Sequence, residues 1–347
     1  AYSETIKEIN AIDYDDLLYL TYHYINQNKK FEKFEWIQID EVQDLGATIS
    51  ADDVTFKLWA PTAQKVVLKV VTVDENISIA SSPTLIEMFE DTHTGIWSVV
   101  GDKSLSGAYY QYQITVYHPK SQKVETVITT DPYSLSLSTN SEFSQVVDLN
   151  DASTKPEHWQ NHAIPTVENI EDNIFYETHI RDFSADDESL LNEEYRGKYK
   201  AFSEQNTNGI KHIKALKKAG LNNIHLLPTF DIATVNEASN KVIGLHNTLG
   251  EIKARVCSVA PNLSVCIKDY NDKQTLKSLL NSFDVSGTQT QQVVSELREF
   301  DDYNWGYDPY HYTVPEGSYA VNPNGVSRLV EFREMVQSIH GLGFRVI

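Results

Sequence analysis

Between Leu45 and Asp151 the chain is written in the period of β-structure. Val54, Phe56 and Leu58 alternate with Thr55 and Lys57, which places three apolar side chains on one face of a strand. Val66–Val71, Ile96–Val99, Tyr110–Val116 and Val124–Thr129 read as further strands, punctuated by Gly95, Gly101, Gly107 and Pro119. Short strands at this spacing predict an immunoglobulin-like β-sandwich of about 100 residues. By the same alternation, Trp59 and Trp97 are expected to pack in its core, although with Tyr110 they also offer a second reading as a sugar-stacking platform.

From Asn173 onward the period changes. Asn173–Glu177 predicts a strand, and Gly209–Ala219 a helix with Ile210, Ile213 and Leu216 on one face and Gly220 just past its end. Asn223–Leu227 predicts the next strand, stopped by Pro228. A long stretch from Asp231 to Asp302 shows no regular pattern and reads as an irregular insertion. Beyond it a helix turns Val326, Leu329, Val330, Phe332, Met335, Val336 and Ile339 inward, ends at Gly341 and Gly343, and leads into a third strand at Phe344–Ile347. Strand–helix–strand–helix–strand favours a parallel sheet with right-handed crossovers. Before all this, in residues 1–43, Asp13 or Asp15 is placed to cap a short helix through Leu17, Leu18, Leu20 and Tyr24, followed by an extended Phe34–Ile39. The divisions are therefore residues 1–43, an N-terminal linker or the tail of a preceding module; a sandwich at 44–151; a linker at 152–172; and a third segment at 173–347 carrying an insertion at 231–302.

Composition narrows the function classes. Hydrophobic residues make up 41% of 347, enough for sizeable cores. With 29 basic and 49 acidic residues the net charge is −20, and no basic patch interrupts it. Such a surface repels phosphate backbones and anionic lipid, which argues against a nucleic-acid partner. No apolar run approaches the ~20 residues of a membrane span, nor is there an N-terminal leader pattern. Cys257 and Cys266 fit either a small disulfide-closed loop in an oxidising compartment or two unpaired thiols.

Phosphate-binding glycine loops, a His-Glu-x-x-His zinc helix and a Gly-x-Ser-x-Gly elbow are all missing. What stands out is Tyr303-Asn304-Trp305-Gly306-Tyr307-Asp308-Pro309, followed by Tyr310, Tyr312, Pro315, Glu316, Gly317 and Ser318. Sugars present apolar C–H faces ringed by hydroxyls, so aromatic rings beside an acceptor carboxylate suit a pyranose site. An aromatic core corner is the competing reading. Arg181-Asp182 after the first strand reads as a structural pair, and Asp186-Asp187-Glu188 and Asp301-Asp302 as solvated carboxylate runs.

These residues resemble a known family. Trp59-Ala60-Pro61-Thr62-Ala63 after Leu45-Gly46-Ala47 resembles the glycogen-binding-type sandwich that precedes many α-glucan debranching enzymes. Ile174–Ser184 and Gly220–Pro228 resemble the first two barrel strands of type I pullulanases, and Tyr303–Pro309 matches the pullulanase signature residue for residue. The resemblance covers residues 44–347. It implies a sandwich followed by the first part of a (β/α)8 TIM barrel of the α-amylase superfamily (glycoside hydrolase family 13), broken off in its third strand. It also implies retaining hydrolysis of α-1,6 bonds in pullulan, glycogen and limit dextrin, by a nucleophilic carboxylate and a protonated carboxylic acid ~5 Å apart. Tyr307 is then expected to stack on the sugar before the scissile bond, Asp308 to accept a hydroxyl or orient an arginine, and Trp305 to extend the platform. The insertion with its cysteines is similar to that of secreted, cell-surface bacterial pullulanases, which implies an extracellular or cell-surface location and a Cys257–Cys266 pairing. Calcium, a common structural ion of the superfamily, is implied as a cofactor, yet no segment has a calcium-loop pattern and no metal ligands are assigned.

The departure from the family is as informative. No Asp or Glu in this sequence maps onto the nucleophile, the acid or the stabilising carboxylate, so no catalytic residue is assigned and the chain alone is expected to be inactive. Two rival readings remain: a non-catalytic α-glucan-binding protein, and a branching, isoamylase or trehalohydrolase-type enzyme of the same plan.

Overall fold

The computed structural model describes residues 45–71, 82–301 and 303–347; the expected helix and strand within residues 1–43 lie outside them. The first part is all β: β1 Gly46–Ile49, β2 Asp53–Trp59, β3 Ala63–Val71, β4 Thr84–Glu87, β5 Phe89–Asp91, β6 Ile96–Asp102, β7 Tyr109–His118, β8 Lys123–Thr129 and β9 Ser144–Gln145. They form two antiparallel sheets, ordered β1-β2-β6-β5 and β4-β3-β7-β8, with β9 added to β7. Val54, Phe56 and Leu58 point inward with Val66, Leu68, Trp97, Tyr110 and Tyr112. Fully burying side chains of this size is worth about 1.5–3 kcal/mol each.

Register explains a correction to the sequence reading. Leu58 lies opposite Trp97 across the β2–β6 ladder, so both share the inner face. Trp59 is the next residue and must point the other way. It is 49% exposed, where core packing was expected, and its indole N–H donates to Thr94 O at 3.1 Å. Trp97 and Tyr110 are buried and closed to sugar.

After a run of short 3-10 turns, β10 Phe175–Thr178, α1 Asn208–Lys218 and β11 Asn223–Leu226 lead into β12 Phe230–Ile232. Thr207 caps α1 by accepting from Ile210 N, and Gly220 closes it at φ +105°. Residues 244–297 are not irregular. They hold four short helices, α2 Leu249–Val256, α3 Ser264–Ile267, α4 Leu276–Ser282 and α5 Gln289–Leu297, around a small core of Leu249, Ile252, Val256, Leu279 and Val293. Cys257 and Cys266 are disulfide-bonded at its edge. Next come β13 Pro309–Pro315, antiparallel to β12, then α6 Val326–Gly341 and β14 Arg345–Val346.

Strands β10, β11 and β14 pair in that order, all parallel. Met335, Ile339 and Phe344 pack against Ile180, Tyr199, Phe202, Ile213 and Ile224 beneath them. The second face of α6 meets the sandwich side of the chain: Arg333 donates to Thr154 O at 2.7 Å, and Asn324, just before the helix, accepts from the Tyr109 hydroxyl at 3.1 Å. Beside β11 and β14 an apolar groove of about 650 Å³, lined by Leu226, Pro228, Phe332, Val336 and Val346, stays uncovered.

Candidate functional site

From Tyr303 to Tyr307 the segment alternates between exposed and buried residues. Asn304 and Gly306 are buried, whereas Tyr303, Trp305 and Tyr307 are exposed, the last two at 64% each. Its two inward residues fix it. Gly306 sits at φ +79° against Pro228 at the end of β11, where a Cβ would come within 3.0 Å of the Pro228 carbonyl oxygen. The Asn304 side-chain oxygen accepts from the Tyr319 hydroxyl at 2.9 Å, and that hydroxyl lies 3.1 Å from His179 Nε2. His179 Nδ1 accepts from the Arg181 and Asp182 backbone N–H groups, so the ring proton resides on Nε2 and is given to Tyr319. Burial holds the His179 pKa below its ordinary value, which keeps this chain of bonds in its neutral form.

The outward side is a ring surface. Trp305 meets Tyr303 edge to face at 5.5 Å, and the Arg181 guanidinium lies over the Tyr303 ring at 5.6 Å. Arg181 also pairs with Asp182 at 3.1 Å. Asp308 is held from two directions: its carbonyl accepts from Ala233 N at 3.0 Å and its carboxylate from the Thr234 hydroxyl at 3.1 Å. Tyr307, Trp305 and Asp308 thus lie together on one accessible loop. In the first carboxylate run two members are spent on structure: Asp187 accepts from Gly209 N at the start of α1, and Asp186 pairs with His246 at 2.7 Å.

Beneath the loop lies a buried charge network that sequence reasoning missed. Arg328, 0% exposed, donates to Asp231 at 3.2 Å, Glu237 at 2.6 Å and Ser138 O at 2.9 Å. His311 bridges Asp231 Oδ2 at 2.7 Å and the Thr130 hydroxyl at 2.9 Å. Glu316 accepts from Ile232 N and Ser318 N. Burial, together with the Glu316 and Asp231 carboxylates and against the pull of Arg328, pushes Glu237 up to about 8; burial also raises Glu316. Position alone hints at the network in the sequence, since Arg328 sits among the apolar residues of α6.

Asp231, Glu237 and Glu316 are also the one trio, among the described residues, with ligand oxygens close enough to share a cation. They do not fit one. Each carboxylate oxygen already accepts an N–H or O–H, with Gly317 N on Glu237 Oε1 and the Ser141 hydroxyl on Asp231 completing the set, and Arg328 brings its own positive charge.

Residues 44–134 match carbohydrate-binding module 48, the isoamylase N-terminal domain family. The pullulanase of Klebsiella aerogenes is 44% identical over 315 residues, and chloroplastic pullulanase 1 of Arabidopsis thaliana 36% identical over 305. Over most of its length the chain is similar to pullulanases. Those matches take in 88% and 87% of this chain but 28% of each relative, so it spans a little over a quarter of the curated pullulanases it resembles. The crystal structure of Klebsiella pneumoniae pullulanase complexed with maltotriose superposes with a TM-score of 0.78 at 40% identity, covering 87% of this chain and 29% of that one. No described helix is long and apolar enough to cross a membrane.

Proposed function

We propose that this chain supplies the carbohydrate-binding sandwich and the opening strands of a (β/α)8 catalytic barrel to a pullulanase-type enzyme hydrolysing α-1,6 bonds in pullulan and branched α-glucans with retention. The observation that carries the reading is the Tyr303–Pro309 loop: two outward rings at 64% exposure beside Asp308, on a backbone pinned from below. In this reading Tyr307 stacks on a pyranose ring, Trp305 widens the platform and Asp308 accepts a hydroxyl hydrogen bond or orients an arginine. Parallel strands β10, β11 and β14 and the open apolar groove beside them support a barrel as the surrounding architecture. The Cys257–Cys266 disulfide supports an oxidising, extracellular or cell-surface setting.

Maltotriose titrated into the chain, followed by calorimetry, tests the reading. Saturable binding that weakens by about tenfold or more in Tyr307→Ala is expected. Binding that Tyr307→Ala leaves unchanged would overturn the platform assignment.

A further inference from the structure

A second cavity, of about 280 Å³, opens where the loop after β8 meets the segment following β12. It is lined by Asn140, Thr234, Asn236, Glu237 and Tyr310. Asn140 and Ser141 both lie in the left-handed region, at φ +57° and +54°, which is costly for residues other than glycine. Partners across the cavity hold them there. The Asn140 backbone N–H donates to Glu237, Glu237 N donates back to the Asn140 side-chain oxygen at 2.8 Å, and Ser141 is tied to Asp231 at 2.7 Å. The reciprocal pair orients the Asn140 amide, whose Nδ2 has no hydrogen-bond partner among the described residues. Opposite stands the half-exposed Tyr310 ring, seated on His311 with centroids 4.3 Å apart.

The lining says what fits. Glu237 is the only ionisable carboxylate on the wall, and its oxygens are taken by Arg328, Asn140 N and Gly317 N, so the cavity offers no free charge to a cation or an anion. What remains is the Tyr310 ring, the Asn140 and Asn236 amides and the apolar Ile232, Ala233 and Val235, the equipment for a neutral molecule with an apolar face and a rim of hydroxyls. Its volume lies just under the ~300–1,000 Å³ of pockets for drug-sized ligands, room for a single sugar ring.

We propose that this cavity is a second carbohydrate site, taking one pyranose unit of an α-glucan against Tyr310 with the Asn140 amide donating to a ring hydroxyl. The choice of an α-glucan rests on the function proposed above; the site itself rests on the cavity and its strained asparagine.

Calorimetric titration of maltotriose into the full chain separates the two. With Tyr307→Ala the chain should retain residual saturable binding. Adding Tyr310→Ala should weaken that residue by about tenfold or more, whereas Tyr310→Phe, which keeps the ring face, should preserve it. Asn140→Gly, which adopts the left-handed backbone without strain, should weaken it with the near-ultraviolet circular dichroism unchanged. If Tyr307→Ala alone removes all binding and Tyr310→Ala has no effect, the second site is refuted and the Tyr307 platform stands. Residual binding indifferent to both Tyr310→Ala and Asn140→Gly refutes it as well. The reverse pattern, with Tyr310→Ala decisive and Tyr307→Ala silent, keeps the cavity and removes the platform. A wild-type chain that binds no maltotriose removes both.

Discussion

Replacing Arg328 by Met should uncouple the two halves of the structure more severely than any surface change. The side chain is fully buried and donates to carboxylates on Asp231 and Glu237 and to the carbonyls of Ser138 and Pro323. Methionine fills similar space but leaves those carboxylates without a guanidinium. Removing one partner of a buried ion pair costs about 3–5 kcal/mol. At ~2–4 °C per kcal/mol for domains of roughly this size, the thermal midpoint should fall by about 6–20 °C, read by near-ultraviolet circular dichroism at pH 8. Arg328→Lys keeps the charge without the fork and should lose less. The deficit should shrink at pH 5, where the raised carboxyls take up protons and the missing cation matters less. A drop of less than about 2 °C at pH 8 would refute the view that Arg328 holds these carboxylates together.

Stability should also depend on pH through Glu237. Its folded pKa of about 8 lies above the ordinary 4.5, so its contribution is complete below the unfolded value and fades as pH rises toward 8; urea melts should show wild type losing stability from pH 5 to 8.5 and Glu237→Gln losing less. Gly306→Ala forces a Cβ to within 3.0 Å of Pro228 O at positive φ, and titration should show weaker maltotriose binding with the sandwich intact. Replacing Cys257 and Cys266 by Ser opens a nine-residue separation and should destabilise the helical insertion by about 2–3 kcal/mol, seen as earlier proteolytic cleavage between residues 249 and 297. Tyr319→Phe removes the hydroxyl between His179 and Asn304, and hydrogen exchange should report faster exchange in residues 303–308.

Much of the fold was legible because its faces follow simple periods. Val54, Phe56 and Leu58 on one side of β2 and Met335 and Ile339 on α6 declared their burial by spacing alone. For Trp59 the alternation itself points the other way: the residue after an inward Leu58 points outward, however apolar it is. The insertion was misread because its helices are short and closely interrupted, yet Thr248 and Glu251 spelled a capping box that the structure forms at α2. The aromatic loop stood out through residue type, and the structure sets it with alternate residues buried. The Asn140 cavity had no such signal, and Arg328 had only its place among the apolar residues of α6. Their roles come from contacts some 90–190 positions apart, which no local pattern encodes.

The most direct test of the central claim is product analysis after the natural polypeptide carrying this chain is incubated with pullulan. Cleavage at α-1,6 bonds should release maltotriose, and Tyr307→Ala should slow that release without changing the product. Intact pullulan, or products that keep the α-1,6 bond, would contradict the account.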